Sequence, residues 1–435
     1  MKTLRKFDLT ACDKIDTNSR MRMGYFLSTV LSFFFGISLV ASNSFALFKN
    51  ELQTQFYQYA NESQPSFYLN GLSQIQSQNF ETKIHTYYES GTKGSWSIDP
   101  DPLRLDFKFN TEKKSFLWIG REHPLNLTRS KKIEATDAIG AVWTQNQLNA
   151  LNPRVSGWLG IGLHQNLAEN ITLLFAYSPL FIPTLGPSLG FSENGDLHPK
   201  RYSRLPPASV DTGGTLLPIR YQLEVGQIKE LLLQNQFFTG IAHEGKELSV
   251  DATFFSAPRP NAVPLTSAKL AVAQNAVTAK VEIEPQFPRE EWVTLRLQIK
   301  NALFKPTIEW VQGVHDWSAQ FASLSGSYAF GSFSSIQFGL LSHMGDESED
   351  PRFSDLLAFI KMPWSITDQL EFKNLIQSTL LNARQSIYWL SEIEYSFMKN
   401  FSAIGSVRML AGQNYSYFGD WRAEDSAGIG MRWTW

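Results

Sequence analysis

The chain closes on GIGMRWTW, residues 428–435. Ala427, Ile429, Met431, Trp433 and Trp435 fall on one parity, and Gly428, Gly430, Arg432 and Thr434 on the other. Strict period-2 alternation is the signature of a β-strand with one apolar and one small or polar face. A chain end is ordinarily frayed and polar, because ordering it costs entropy. Two tryptophans there need a surface to cover them, and that surface is either a protein core or lipid.

The same pattern recurs upstream. In VTAKVEIE, residues 277–284, Val277, Ala279, Val281 and Ile283 oppose Thr278, Lys280, Glu282 and Glu284. After a turn at 285–290, Val293, Leu295, Leu297 and Ile299 oppose Thr294, Arg296, Gln298 and Lys300. After a second turn at 301–306, Ile308 and Trp310 alternate with Thr307 and Glu309. Further runs of the same kind cover 248–254, 335–340, 369–377, 387–395 and 401–409. Less regular ones are expected at about 67–77, 79–90, 103–110, 115–122, 139–146, 157–166, 170–178 and 217–225. Over the last third, short connections such as 330–334 and 398–400 alternate with longer polar ones such as 343–352 and 412–425. One connection is exceptional. Residues 179–216 form a long loop with six prolines ahead of a glycine pair, and loops of that length tend to be functional. Residues 227–238, QIKELLLQNQFF, fit either a short helix or a strand.

Composition narrows the class. Charged residues make up 18% of the 435, below the roughly 25% of soluble domains. Aromatics reach 13%, yet the mean hydropathy is −0.21. Beyond residue 40 no run of about 18 apolar residues occurs, so helical membrane spans are not expected there. High aromatic content without long apolar runs is what alternating strands produce.

The N-terminus reads as an export signal. Tyr25 to Val40 is a 16-residue apolar stretch behind Arg20 and Arg22, and Ser44-Phe45-Ala46 fits a small-x-small cleavage site. Residues 1–46 are therefore expected to be removed. Asp8, Asp13 and Asp16 are out of place in such a leader, so translation starting at Met21 or Met23 is the alternative. The single cysteine, Cys12, lies inside it, which leaves no thiol chemistry and no disulfide for the rest. The leader holds six basic and three acidic residues, so its loss takes the net charge from −2 to −5. That is no footprint for nucleic acid.

The ending resembles the C-terminal signal of Gram-negative outer-membrane β-barrels. Those chains finish on an aromatic residue, with a hydrophobic residue two before it and often a glycine three further back. Here these are Trp435, Trp433 and Gly430; Gly428 stands where such signals usually carry a polar residue. The resemblance implies an all-β, transmembrane antiparallel barrel with short periplasmic turns and longer extracellular loops, a terminal strand read by the barrel-assembly machinery, and a location in the cell outer membrane. The physics agrees: in hydrocarbon every backbone polar group must be paired, so strands cross only as a closed barrel.

Residues 47–66 are expected to be a leader or small plug, and 67–435 a single barrel. The 389 residues after Ala46, at roughly 20 per strand and turn, give 16 to 20 strands, with 18 favoured. Barrels of about 16–18 strands enclose an aqueous channel. The expected function is porin-like passive diffusion of small hydrophilic solutes through a charged lumen. The alternatives are a hydrophobic-ligand transporter, a structural or adhesive barrel with an occluded lumen, an outer-membrane hydrolase and a secreted soluble β protein. Pore-lining candidates are Arg220, Glu224, Asp251, Lys280, Glu282, Glu284, Arg296, Lys300, Glu309, Glu371, Lys373, Glu392, Glu394, Arg408 and Arg432. His198, Lys200, Arg201 and Arg204 form a basic cluster in the long loop that would line a constriction if it folds inward. Trp292 and Phe321 are the only inward aromatics the pattern offers to a sugar track.

Enzyme signatures are weak. The seven histidines show no HExxH and no paired metal-ligand spacing. His315 and Asp316 are adjacent, which on a strand sends them to opposite faces. No catalytic residue, cofactor or metal is expected. The partners expected are membrane lipid, the assembly machinery and small hydrophilic solutes, with a homotrimer as one arrangement open to such a barrel.

Overall fold

The structure, a computed structural model, describes residues 47–60, 62, 64–76, 80–90, 96–110, 115–122, 157–182, 190–191, 197–198, 209–211, 216–223, 232–258, 263–273, 276–300, 304–314, 320–330, 334–344, 356–380, 385–412 and 425–435. The export leader with its cleavage site, Glu224, the expected strand at 139–146, residues 224–231 and the His315-Asp316 pair lie outside them.

Twenty-four strands follow in order. The first seven are β1 (Leu47–Tyr59), β2 (Ser66–Gln76), β3 (Phe80–Glu89), β4 (Trp96–Asn110), β5 (Ser115–Glu122), β6 (Trp158–Ala168) and β7 (Ile171–Ser178). Then come β8 (Gly190–Phe191), β9 (Leu197–His198), β10 (Ser209–Asp211), β11 (Leu216–Leu223), β12 (Gln236–Glu244) and β13 (Leu248–Pro258). They continue with β14 (Val263–Ala273), β15 (Ala276–Gln286), β16 (Arg289–Ile299), β17 (Thr307–Gly313), β18 (Gln320–Ala329) and β19 (Ser335–Met344). The last are β20 (Leu356–Ser365), β21 (Leu370–Thr379), β22 (Ser386–Met398), β23 (Phe401–Gly412) and β24 (Ser426–Thr434).

Eighteen of these pair into one antiparallel sheet that closes on itself through β1–β24. Two steps skip strands: β7 pairs β12, and β13 pairs β16. The strands left out form a separate four-stranded sheet, β10-β11-β15-β14, and a two-stranded one, β8-β9. The expected count of 18 is therefore the count of the wall. The expectation of a leader or plug over 47–66 is overturned for 47–59: these residues are wall strand β1, paired on both sides. Polar residues on both faces of β1 hid its alternation.

The connections sort by end. One end of the barrel holds the start of β1 and the finish of β24, and there the links are tight, such as 169–170, 245–247, 366–369 and 399–400. The other end holds 123–157, 179–235, 259–288, 345–355 and 413–425. These are called below the turn end and the loop end.

The pairing register lets each face be followed round the wall. Tyr57 on β1 stands opposite Gly428 on β24, then Ser406 on β23, Glu392 on β22 and Lys373 on β21. That row faces inward. The next row out carries large apolar side chains in the open: Leu295 is 52% exposed and Ile429 72%, whereas the intervening Arg296 is 4% exposed. Among the described strands of the wall, outward charges occur only at the loop end, at Arg121, Arg289 and Glu291. A charge on the lipid side of a barrel costs about 2–4 kcal/mol at mid-membrane. A one-residue slip of any strand would turn its whole inner row outward, so register is strongly fixed.

The terminus is held by that wall. Asn50 N–H donates to Trp435 O at 2.9 Å, Trp435 N–H donates to Asn50 O at 3.1 Å, and Thr434 N–H donates to Asn400 O at 3.0 Å. Outside, Phe401, Trp433 and Trp435 stack in a row, with ring centroids 5.6 and 4.3 Å apart. The two final tryptophans thus cover one another and a neighbouring strand on the outer face, at the turn end, where the aromatic girdle of a membrane barrel belongs.

Candidate functional site

The inner wall is two different surfaces. One half is ionic, a set of ion-pair networks. On β3, β4 and β5, Arg104 holds three carboxylates: Asp106 at 2.7 Å, Glu122 at 2.9 Å and Glu81 at 3.2 Å. Lys83 lies 3.4 Å from Glu81. A second network spans β21, β22, β24 and β1. Lys373 contacts Glu371 and Glu394 at 3.0 Å and Glu392 at 3.6 Å. Arg432 takes Glu394 at 2.5 Å and Glu51 at 3.1 Å, so this network crosses the seam where the first and last strands meet. A third pairs Arg296 with Asp251 at 3.6 Å, and Glu309 stands opposite Arg296 in register. Together the three hold nine carboxylates (Glu81, Asp106, Glu122, Glu51, Glu371, Glu392, Glu394, Asp251, Glu309) and five cations (Arg104, Lys83, Lys373, Arg432, Arg296). At the rim Lys300 meets Glu244 at 2.8 Å.

The other half is apolar, aromatic and aliphatic, and it is not separated from the first by height: Trp118 stands opposite Asp106 in register and nearer the turn end of β5 than Glu122. Trp118, Leu174, Ala176 and Phe238 pack together, with Phe116, Trp158 and Phe255 against them. Trp118 lies over Gly162, where a Cβ would fall 2.3 Å from the indole, so only glycine leaves room for the ring. Further round, Tyr57, Tyr59 and Tyr68 form a second cluster. The Tyr59 and Tyr68 hydroxyls are hydrogen-bonded to each other, and Tyr68 donates to Glu89 at 2.7 Å. Ser406 donates to the Tyr57 hydroxyl at 3.2 Å, and the Arg408 guanidinium stands 5.9 Å from the Tyr57 ring centre. Phe359, Leu375, Tyr388, Leu390 and Leu410, all buried, continue the apolar surface over β20 to β23.

Most charged residues singled out in the sequence fall on this inner wall. Asp251, Arg296, Glu309, Glu371, Lys373, Glu392, Glu394, Arg408 and Arg432 all occupy inward rows, with Lys300 just past the end of β16. Arg220, Lys280, Glu282 and Glu284 do not. They stand on β11 and β15 of the four-stranded sheet, where β11 runs parallel to β15. The physical reason is that β14–β15 extends the β13–β16 hairpin: Pro258 faces Arg289 in the wall, and Val263 faces Gln286 in the extension. Alternation marks any two-faced strand and does not say which sheet it joins. His198 lies on the short strand β9, while Lys200, Arg201 and Arg204 fall outside the described residues. Trp292 faces inward at 8% exposure.

The sequence reading missed the Arg104 network and both aromatic clusters. Residues 103–109, LRLDFKF, do alternate, and Arg104, Asp106 and Lys108 are legible there. No such signal exists for Tyr57, Tyr59 or Trp118, because apolar residues on both faces erase the parity.

No protein-family model matches the sequence, and no curated protein does. Solved structures are similar in shape only. An Acinetobacter baumannii OccAB3 structure has a TM-score of 0.49 at 9% identity, covering 90% of this chain and 99% of that one. Pseudomonas aeruginosa OpdQ gives 0.47 at 11%, covering 90% and 98%. A mutant of Rh. blastica porin gives 0.38 at 7%, covering 90% and 100%. The closed barrel stands on its own strand pairing, independent of these likenesses.

Proposed function

We propose that the protein is an outer-membrane channel through which small hydrophilic solutes diffuse passively, without catalysis. The observation that carries this reading is the sorting of charge. The wall's outer row is apolar, and its charges, away from the loop end, face in. That is the arrangement lipid outside and water inside would select. The export leader, the terminal Gly430, Trp433 and Trp435 as assembly signal, and the long loops at one end support the same location and orientation, with the turn end periplasmic. A transverse field across the lumen, set by the carboxylate-rich networks, would bias which ions pass.

A second reading, a barrel with an occluded lumen, is favoured by one observation. Inner-wall residues of the apolar half are almost fully buried, with Leu174, Trp118 and Leu375 each at 1%. Single-channel recording in a planar bilayer separates the two. Stable conductance steps, with a reversal potential of cation-selective sign in a salt gradient, are expected. A folded, inserted barrel that passes no current would overturn the channel reading and leave the occluded one.

A further inference from the structure

We propose that Gln377 is the hydrogen-bonding floor of a solute subsite in the apolar half of the lumen. It would take small planar solutes that are apolar on their faces and carry a carboxamide-like donor–acceptor edge. The proposal rests on the channel reading and names a solute class for it.

Gln377 faces inward on β21. In its row, Phe359 on β20 lies to one side and Tyr388 on β22 to the other. The side chain is 0% exposed, yet neither its amide nitrogen nor its amide oxygen has a hydrogen-bond partner. Native structures hold few such groups, because leaving a buried polar atom unpaired forfeits its hydration with no return. The apolar neighbours Leu375 and Leu390 show that a leucine would suit this wall. An amide here is therefore a choice that packing does not explain.

Each flanking ring also has a contact on its far side. The Phe359 ring leans towards β19, where Gly339 has no side chain to meet it; a Cβ on Gly339 would lie 2.2 Å from Phe359 Cε1. Tyr388 is engaged on its far side by a hydrogen bond with Arg408 of β23. The amide thus stands between two aromatic side chains. A glutamine amide offers two donors and two lone pairs in one plane, which matches a carboxamide edge in a paired arrangement. Aromatic rings on both sides would take the faces of a flat solute by stacking. As the side chains stand the amide is shut from solvent, so a solute reaches it when Phe359 or Tyr388 turns about χ1.

The test is equilibrium dialysis of radiolabelled benzamide against the full chain folded in detergent, with glucose as the control solute. Saturable benzamide binding is expected, with no saturable glucose binding. Gln377→Leu should weaken it about tenfold, the loss of roughly one good polar contact. Phe359→Leu should weaken it several-fold through lost stacking. Binding to Gln377→Leu equal to the unaltered chain, or no saturable binding at all, would overturn the subsite. Conductance of the same preparations is read separately. A barrel that conducts without binding benzamide loses the subsite and keeps the channel. One that binds but does not conduct keeps the subsite as a binding site and loses the channel.

Discussion

The ionic half and the apolar half of the inner wall solve the same problem in opposite ways. Both must fill the space inside strands whose outer side faces lipid. The ionic half does it with long charged side chains locked to one another, as in Arg104 with Asp106, Glu122 and Glu81. The apolar half does it with rings and aliphatic groups, as in Trp118 with Leu174, Ala176 and Phe238. One is held by electrostatic partnership and the other by shape. They should therefore fail differently when a single side chain is removed.

The largest effect is expected in the ionic half. Arg104 is 13% exposed on its side chain and Glu122 only 3%. Arg104→Met leaves three carboxylates facing each other with the cation gone. Removing one member of a buried ionic network costs about 3–5 kcal/mol, and partial exposure of Glu81 and Asp106 brings the expectation to about 2–4 kcal/mol. Urea unfolding of the folded barrel in detergent measures it. The sharper form is the double variant Arg104→Met with Glu122→Gln, which should recover about half of the loss because the most buried orphan carboxylate is neutralised. Equal losses in the single and double variants would mean that packing, not charge, holds this half.

In the apolar half the matched change is Trp118→Ala, with an expected loss of about 3 kcal/mol through the cavity left behind. Salt separates the halves further: the Arg104 loss should shrink at high ionic strength, and the Trp118 loss should not. Gly162→Ala probes the same contact from the other side. Its Cβ would sit 2.3 Å from the indole, which forces the ring to move and costs about 1–3 kcal/mol. A Gly162→Ala, Trp118→Ala double variant should then be no worse than Trp118→Ala alone. If the two costs add, the ring does not fill the space that the glycine leaves.

The contrast between halves also explains what the sequence disclosed. The outer row of β16 to β24 reads directly as alternation, because one face sees lipid and the other charge; Leu295 against Arg296 and Met409 against Arg408 are legible at sight. That rule yields the barrel and most of the ionic residues on the later strands, while chain length yields the strand number. It fails wherever the inner face is apolar. Tyr57 and Phe56, or Trp118 and Leu117, differ in direction but not in polarity, so nothing in the residue types says which faces the lumen. It fails again for Lys280, Glu282 and Glu284, whose strand alternates as well as any wall strand but continues past the rim into the four-stranded sheet. Whether a strand joins the wall is decided by its neighbours in space, and the neighbours of β15 are β14 and the distant β11.

The smallest expected effect has the opposite sign, and it tests whether the apolar half is optimised for packing alone. Gln377 is buried beside Phe359, Tyr388 and Leu375 with both ends of its amide unpaired. An apolar group of similar volume there avoids the desolvation cost. Gln377→Leu should therefore raise the urea midpoint, by an amount equivalent to about 1 kcal/mol. A gain in stability joined to a loss of benzamide binding would fit a group that serves a ligand at the expense of the fold, a trade found at many binding sites. A loss of stability would show that the amide has partners that matter in the folded barrel. The wall at β20–β22 would then be a fully satisfied surface, closer in character to the ionic half than to the aromatic cluster around Trp118.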